Sequence, residues 1–294
     1  MKAPLVITVC SSKKATSPKH KSDHQGSQSS KEAHWMRQIE AAKPEIEAAS
    51  LYKGRAFSLA RDTASDLNAD LMILSAGLGY VMSTTKIPSY DLTLGRGGVK
   101  TSNKNFDVMS WWDTVTCGPY SADITYELEG REFVLVCLTR AYAPLIANQL
   151  ELRRGTLKFR IFGEGLGRVL SPNLMNMVAN YDGRLNMAGF AGTKSEFPQR
   201  AMRHYVSITE RPCLDSLEAD ALRIEASLSC FPKQKASVPN TQLNDDEVVT
   251  HIRNLLYLRL GQSKLLRYFR DIEHIACEQS RFARLYRLAA SAIV

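Results

Sequence analysis

The stretch LVITVCSSKK, residues 5–14, decides the fold. Five apolar or β-branched residues in unbroken succession do not alternate, so they suit a strand buried on both faces rather than one with a wet side. The run then breaks into a thiol, two hydroxyls and two ammonium groups, a composition that builds no core. Three further runs are short, apolar and not alternating: 70–74, 132–138 and 157–162. Between the first two lies QIEAAKPEIEAASLYKGRAFSLARDTASDLN, in which Leu51, Phe57, Leu59 and Leu67 sit among good helix formers and Pro44 and Gly54 divide the stretch. Strands alternating with segments long enough for crossover helices predict an α/β domain with a parallel, doubly wound sheet flanked by helices.

Ligands of such sheets bind beyond the carboxyl ends of the strands. The four exits read CSSKK, SAGLGYV, LTRAY and FGEGLG, all small, polar, glycine-rich or basic. In the first, Ser11, Ser12, Lys13 and Lys14, together with backbone N–H groups, form a nest suited to phosphate; a solvated surface turn is the plainer reading. Cys10 reads as a buried thiol rather than a nucleophile. In the second, Gly77 and Gly79 permit a tight turn or a close backbone approach to nucleic acid. The continuation IPSYDLTL sets Tyr90 and Asp91 on a rigid loop, with Asp91 either a working carboxylate or a cap for the next segment. FGEGLG imitates a dinucleotide loop, but Arg168 stands where G-x-G-x-x-G needs its third glycine. A turn, or a close approach to substrate with Glu164 as a second candidate carboxylate, fits better than a nicotinamide cofactor, and no cofactor is expected.

The chain has 294 residues, 44% hydrophobic and 23% charged, with a formal charge of +8. It is long enough for a core domain and a smaller companion, and its charge favours polyanionic partners. No apolar run approaches the ~20 residues of a membrane span, and none after Met1 resembles a signal-peptide core, so a cytoplasmic protein is expected. Six cysteines without a CxxC pair or a Cys/His cluster point to reduced, mostly buried thiols and to no metal site. The stretch 15–31 should be a mobile loop carrying Lys19, His20, Lys21 and His24; that histidine pair lacks further ligands for a metal. A second flexible stretch carries Arg96, Lys100 and Lys104 and runs into Trp111 and Trp112. One of these tryptophans is expected in the core, while the other could fill a gap in a base stack. His204 sits on a predicted helix with Arg200 and Arg203, by default as a surface residue, otherwise near phosphate.

Between 231 and 246 two prolines and few apolar residues mark a linker, giving domains at 1–240 and 245–294. Beyond it, helical spacing runs through Val248, Ile252, Leu255 and Leu256, then Leu265, Leu266, Phe269 and Ile272, then Phe282, Leu285 and Tyr286. The last two helices, separated by IEHIACE, have the proportions of a helix-turn-helix. From His251 to Val294 eight Lys/Arg stand against three Asp/Glu. Arg281, Arg284 and Arg287 on the last helix are therefore candidate DNA contacts, with a bundle of merely solvated arginines as the alternative.

CSSKK at a strand end, SLYKGRAF with Tyr52 and Phe57, LSAGLG and IPSYDLTL together resemble a bacterial domain family distantly similar to the uracil-DNA glycosylase superfamily. That similarity extends to a peroxide-stress DNA-binding family and to domains of tRNA base-modifying enzymes. Antiphage members resemble glycosylases acting on glucosylated hydroxymethylcytosine. The resemblance covers about residues 5–94, and the superfamily's GQDPY-like and HPSP-like loops are missing, so no catalytic role transfers by motif. It implies a glycosylase-like fold, base excision and double-stranded, modified phage DNA as partner, with no obligate protein partner evident. The chemistry needs a carboxylate for an oxocarbenium-like sugar and a cation for the leaving base. Asp91 and Arg140 are the candidates, with Tyr90 stacking on a flipped base. A non-catalytic DNA-binding protein and a tRNA-directed relative are the alternatives.

Overall fold

The structure is a computed structural model that describes residues 1–22, 26–94, 106–233 and 241–291. His24, Arg96, Lys100 and Lys104 lie outside the described residues. The chain divides into two compact units, Met1–Lys233 and Gln234–Val294, and the division falls inside the linker-like stretch 231–246.

The first unit is built on five strands: β1 (Leu5–Val9), β2 (Asp70–Ser75), β3 (Gly79–Met82), β4 (Val134–Cys137) and β5 (Phe159–Phe162). Their spatial order is β3-β2-β1-β4-β5. β1 is central and pairs in parallel on both sides, Leu5 opposite Asp70 and Val134. Successive strand residues face opposite sides of a sheet, yet Leu5, Val6, Ile7 and all four residues of β4 are fully buried. Both faces of the sheet are therefore covered, which is why these runs read as continuously apolar.

The expectation of a parallel sheet needs one correction. β3 is antiparallel to β2, with Ser75 opposite Gly79. GYVM is only four residues long, follows Gly77 and itself begins with a glycine, so it read as part of a loop; Gly79, at φ +77°, instead turns the chain back into a hairpin.

Six longer helices flank the sheet: α1 (Gln28–Glu40), α2 (Arg55–Asp66), α3 (Val108–Thr116), α4 (Ala143–Leu152), α5 (Phe197–Ser207) and α6 (Leu217–Leu228). α2 is the crossover from β1 to β2, and α4 is the crossover from β4 to β5. The expected loop at 15–31 is shorter than predicted. Ser27 accepts a hydrogen bond from Ser30 N and caps α1, whose buried positions Lys31, Trp35 and Ile39 recur every four residues. His20–Lys21 pairs with Tyr90–Asp91.

Trp111 and Trp112 are both core, exposing 0% and 2% of their surface, and their indoles donate to Ala76 O and Tyr80 Oη. Neither is available to fill a DNA stack. The group on α5 is likewise inward: Arg200 is buried and donates to Asn186 Oδ1, Phe190 O and Thr193 O, while His204 is buried against Tyr181 Oη. Burial lowers the His204 pKa, favouring the neutral ring. Arg203 pairs with Asp66.

The second unit holds α7 (Asp245–Leu255), α8 (Gln262–Asp271) and α9 (Gln279–Ser291). Val248, Ile252, Leu255, Leu265, Leu266, Phe269, Phe282 and Leu285 make its core, with Phe269 edge-on to Phe282 at 5.1 Å. Ile272 is 59% exposed at the end of α8. The α8–α9 connection spans residues 272–278 and pairs Ile275–Ala276 with Thr241–Gln242. Seven residues carrying a strand are more than the three or four of a tight helix-turn-helix turn. No helix among the described residues is long and apolar enough to cross a membrane.

Candidate functional site

The strand order locates the crevice. From β1 the chain moves outward to β2 and β3 and then returns to β4 on β1's other side, so the loops leaving β1 and β4 diverge at their carboxyl ends. Cys10 to Lys14 leave β1; Thr139 to Tyr142 follow β4. The two exits touch where Cys10 Sγ lies 3.2 Å from Tyr142 Oη.

The β1 exit is pinned through its backbone rather than by its lysines. Ala15 N donates to Leu51 O at 2.8 Å, Lys53 N to Lys13 O at 2.9 Å, and Lys13 N to Ser11 Oγ at 3.0 Å. Beside it Gly54, at φ +105°, opens α2 with no side-chain cap, so the first N–H groups of that helix end near Ser11.

Beneath this exit is a buried hydroxyl cluster. Tyr90 Oη lies 2.7 Å from Tyr52 Oη and 2.6 Å from Ser75 Oγ, and Leu78 N donates to Ser75 Oγ at 3.1 Å. Burial pushes the Tyr52, Tyr90 and Tyr142 phenols up, so all three stay neutral. Tyr90 exposes none of its surface, and its ring packs edge-on to Trp35 at 5.9 Å. That corrects the expectation that Tyr90 stacks on a flipped base: the ring is the floor of the site.

Gly77 and Gly79 are corrected on the same ground. A Cβ on Gly77 would sit 2.7 Å from Trp35 Cζ2 and 3.0 Å from Tyr90 Cε2, and one on Gly79 would sit 2.6 Å from Ser121 Oγ. Both glycines are buried and admit protein side chains, not nucleic acid.

Other predicted residues stand at the surface of the crevice. Asp91 is exposed, one residue beyond buried Tyr90, on the short strand paired with His20–Lys21. Arg140 is exposed, and its stem runs past Gly165, where a Cβ would lie 3.3 Å from Arg140 Cδ. Gly165 has φ +66°, and a Cβ on Gly163 would collide with the Leu138 carbonyl oxygen, so the FGEGLG glycines serve a close approach of two exits. Lys14 is half-buried, with Nζ 4.7 Å from the centre of the Tyr90 ring. Burial lowers its pKa despite the opposing pull of Cys10 and Asp91.

Elsewhere in this unit buried arginines are matched to acids: Arg131 with Asp70 and Glu127, Arg160 with Asp220, and Arg184 with Asp182 and Glu225. Around the crevice, by contrast, no hydrogen bond or ion pair among the described residues engages the charged ends of Lys13, Lys14, Asp91 or Arg140. Among the described residues, folding pairs the first group and not the second. Ser75 and Tyr142 were missed from sequence, although each closes or sits inside a quoted strand exit.

In the second unit the predicted arginines separate. Arg281 donates to Asp245 Oδ1 and Leu243 O, and Arg284 to Asp245 Oδ2 at 2.6 Å. Arg281 is therefore a structural tie, correcting its reading as a candidate DNA contact, and Arg284 is partly neutralised. Arg287 is exposed and, among the described residues, bonds only to Ala283 O on its own helix. The acidic run Asp245, Asp246 and Glu247 begins α7 of the same unit, so its positive surplus is smaller than the segment from His251 suggested. Among the described residues no group of His, Cys, Asp and Glu could hold a metal ion. Compared with protein-family models, curated proteins and solved structures, the chain finds no match in any of the three.

Proposed function

We propose that this protein is a DNA glycosylase that excises glucosylated hydroxymethylcytosine from double-stranded phage DNA by hydrolysing the N-glycosidic bond, a cytoplasmic antiphage activity. The observation that carries the reading is that no partner among the described residues pairs with the charged ends of Lys13, Asp91 and Arg140, at the crevice where a sheet of this strand order binds its ligand.

In this reading Ser11, Ser12 and Lys13, next to the uncapped start of α2, hold the phosphate flanking the target nucleotide. Asp91 faces the deoxyribose and stabilises the positive charge that develops at C1′ as the base departs, or orients the attacking water. Arg140 takes up the negative charge of the leaving base. The neutral Tyr52, Tyr90 and Ser75 cluster keeps the Tyr90 ring immobile beneath the exit. The second unit, treated as a helix-turn-helix-like module with Arg287 toward phosphate, supplies sequence-independent affinity.

The test is incubation with unmodified, hydroxymethylated and glucosylated cytosine DNA, followed by mass spectrometry of released bases and alkaline cleavage of the strands. Released glucosylated base with matching breaks supports the reading. Tight binding of all three with no released base refutes it in favour of a non-catalytic DNA-binding protein.

A further inference from the structure

We infer that Lys14 is a nucleophilic amine that forms an imine with the C1′ aldehyde of an abasic deoxyribose, giving the protein a strand-cleaving lyase activity. This rests on the glycosylase reading for the source of its substrate.

Four observations place the amine in this role. Its backbone is fixed: Lys14 bridges Tyr52, and the neighbouring Ala15 N and Lys13 O are bonded to Leu51 and Lys53. Its side chain is half-buried, so water is partly excluded from it. Its Nζ lies over the Tyr90 ring with no ion pair or hydrogen bond among the described residues, unlike Lys19, which pairs with Glu45 at 2.5 Å. The groups facing it are Cys10 at the end of β1, Asp91 on the short strand, and the neutral phenols of Tyr52 and Tyr90. Desolvation outweighs the pull of Cys10 and Asp91 and favours the uncharged amine, the form that attacks carbonyl carbon.

The steps balance without a cofactor. The Nζ lone pair adds to C1′ of the open-chain sugar, and the carbinolamine loses water to give a protonated imine. Asp91, within electrostatic reach of Lys14, takes a C2′ proton; the electron pair forms the C2′–C3′ double bond and the C3′–O bond breaks, releasing the phosphate. Water then hydrolyses the imine, returning the amine and an unsaturated aldehyde.

The test uses the full chain and a duplex carrying one preformed abasic site, treated with borohydride to reduce any imine to a stable amine. A covalent adduct is expected, with the cross-linked peptide containing Lys14. Lys14→Arg and Lys14→Gln should reduce adduct yield at least tenfold, whereas Lys19→Arg, at the lysine paired with Glu45, should not. Tryptophan fluorescence and circular dichroism confirm that each variant is folded. The neutral fraction of an ordinary lysine falls about thirtyfold from pH 9 to pH 7.5; with the Lys14 pKa lowered by burial, the adduct rate should fall by less than that. Adduct of equal yield in Lys14→Arg, or base release from glucosylated DNA with no adduct on the abasic duplex, overturns the assignment and leaves the glycosylase reading standing. Adduct through Lys14 with no base released from any DNA supports the amine and refutes the glycosylase.

Discussion

Tyr90→Phe tests the claim that the floor of the crevice is a single hydroxyl unit. The substitution keeps the ring and its edge-on contact with Trp35 and removes one oxygen, which holds two hydrogen bonds, 2.7 Å to Tyr52 and 2.6 Å to Ser75. At a net ~0.5–1.5 kcal/mol each, their loss destabilises the first unit by about 2 kcal/mol, a change of about thirtyfold in its unfolding equilibrium. With a urea m-value of about 2–3 kcal/mol/M, the midpoint should fall by about 0.7–1 M. The probe is selective, because the chain's three tryptophans, Trp35, Trp111 and Trp112, all lie in the first unit and are buried there. Tyr52→Phe should cost a similar amount. In the double variant the bond between the two phenols is counted once, so its cost should fall short of the sum by about 1 kcal/mol. A midpoint shift below about 0.2 M for Tyr90→Phe, or strict additivity in the double variant, would refute the cluster as a cooperative unit.

Asp91→Asn should abolish base release from glucosylated DNA while duplex affinity stays within about twofold; unchanged turnover would remove Asp91 from the chemistry. Gly77→Ala places a methyl 2.7 Å from the Trp35 ring and should destabilise the first unit by about 1–3 kcal/mol, seen as a lower urea midpoint. Arg287→Ala should reduce the salt slope of DNA binding by about 0.9, whereas Arg281→Ala should leave the slope and loosen the second unit; equal slopes in both variants would contradict this division. Glu278 accepts hydrogen bonds from the Ser280 hydroxyl and from Ser280 N and Arg281 N, which hold its carboxyl down to about 2 from 4.5. A depressed folded pKa contributes stability present above pH 4.5 and lost as pH falls through about 2. A carboxyl NMR titration should find that midpoint, and one near 4.5 would show that Glu278 does not cap α9.

The parallel strands were legible because two-sided burial leaves a direct mark on composition: VITV and VLVC offer no polar face. β3 was not, since four residues after a glycine carry too little pattern to separate a hairpin arm from a loop. The quoted exits do follow the carboxyl ends of the strands, but side-chain orientation was hidden. Tyr90 and Asp91 are adjacent in sequence, yet one is fully buried and the other exposed, because alternation in a short strand sends them to opposite sides. The cluster of Tyr52, Ser75 and Tyr90 joins residues up to 38 positions apart, a proximity that no local motif announces. In the second unit the charge surplus depended on where counting began: Asp245, six residues before His251, pairs with both Arg281 and Arg284.

The register of β1 also carries a consequence for biosynthesis. Leu5 meets Asp70 on one side and Val134 on the other, so one wall of the crevice is made well before the other. At a synthesis rate of ~5–20 residues per second, β1 waits on the order of ten seconds between emergence and the arrival of β4. During that interval its outer edge is an unsatisfied row of amide and carbonyl groups flanked by Leu5, Val6 and Ile7, a template for pairing with another nascent chain. The seam that forms the crevice is thus closed only when β4 arrives, and chaperone dependence of this protein should concentrate on the segment between the ribosome-borne β1 and the completion of β4.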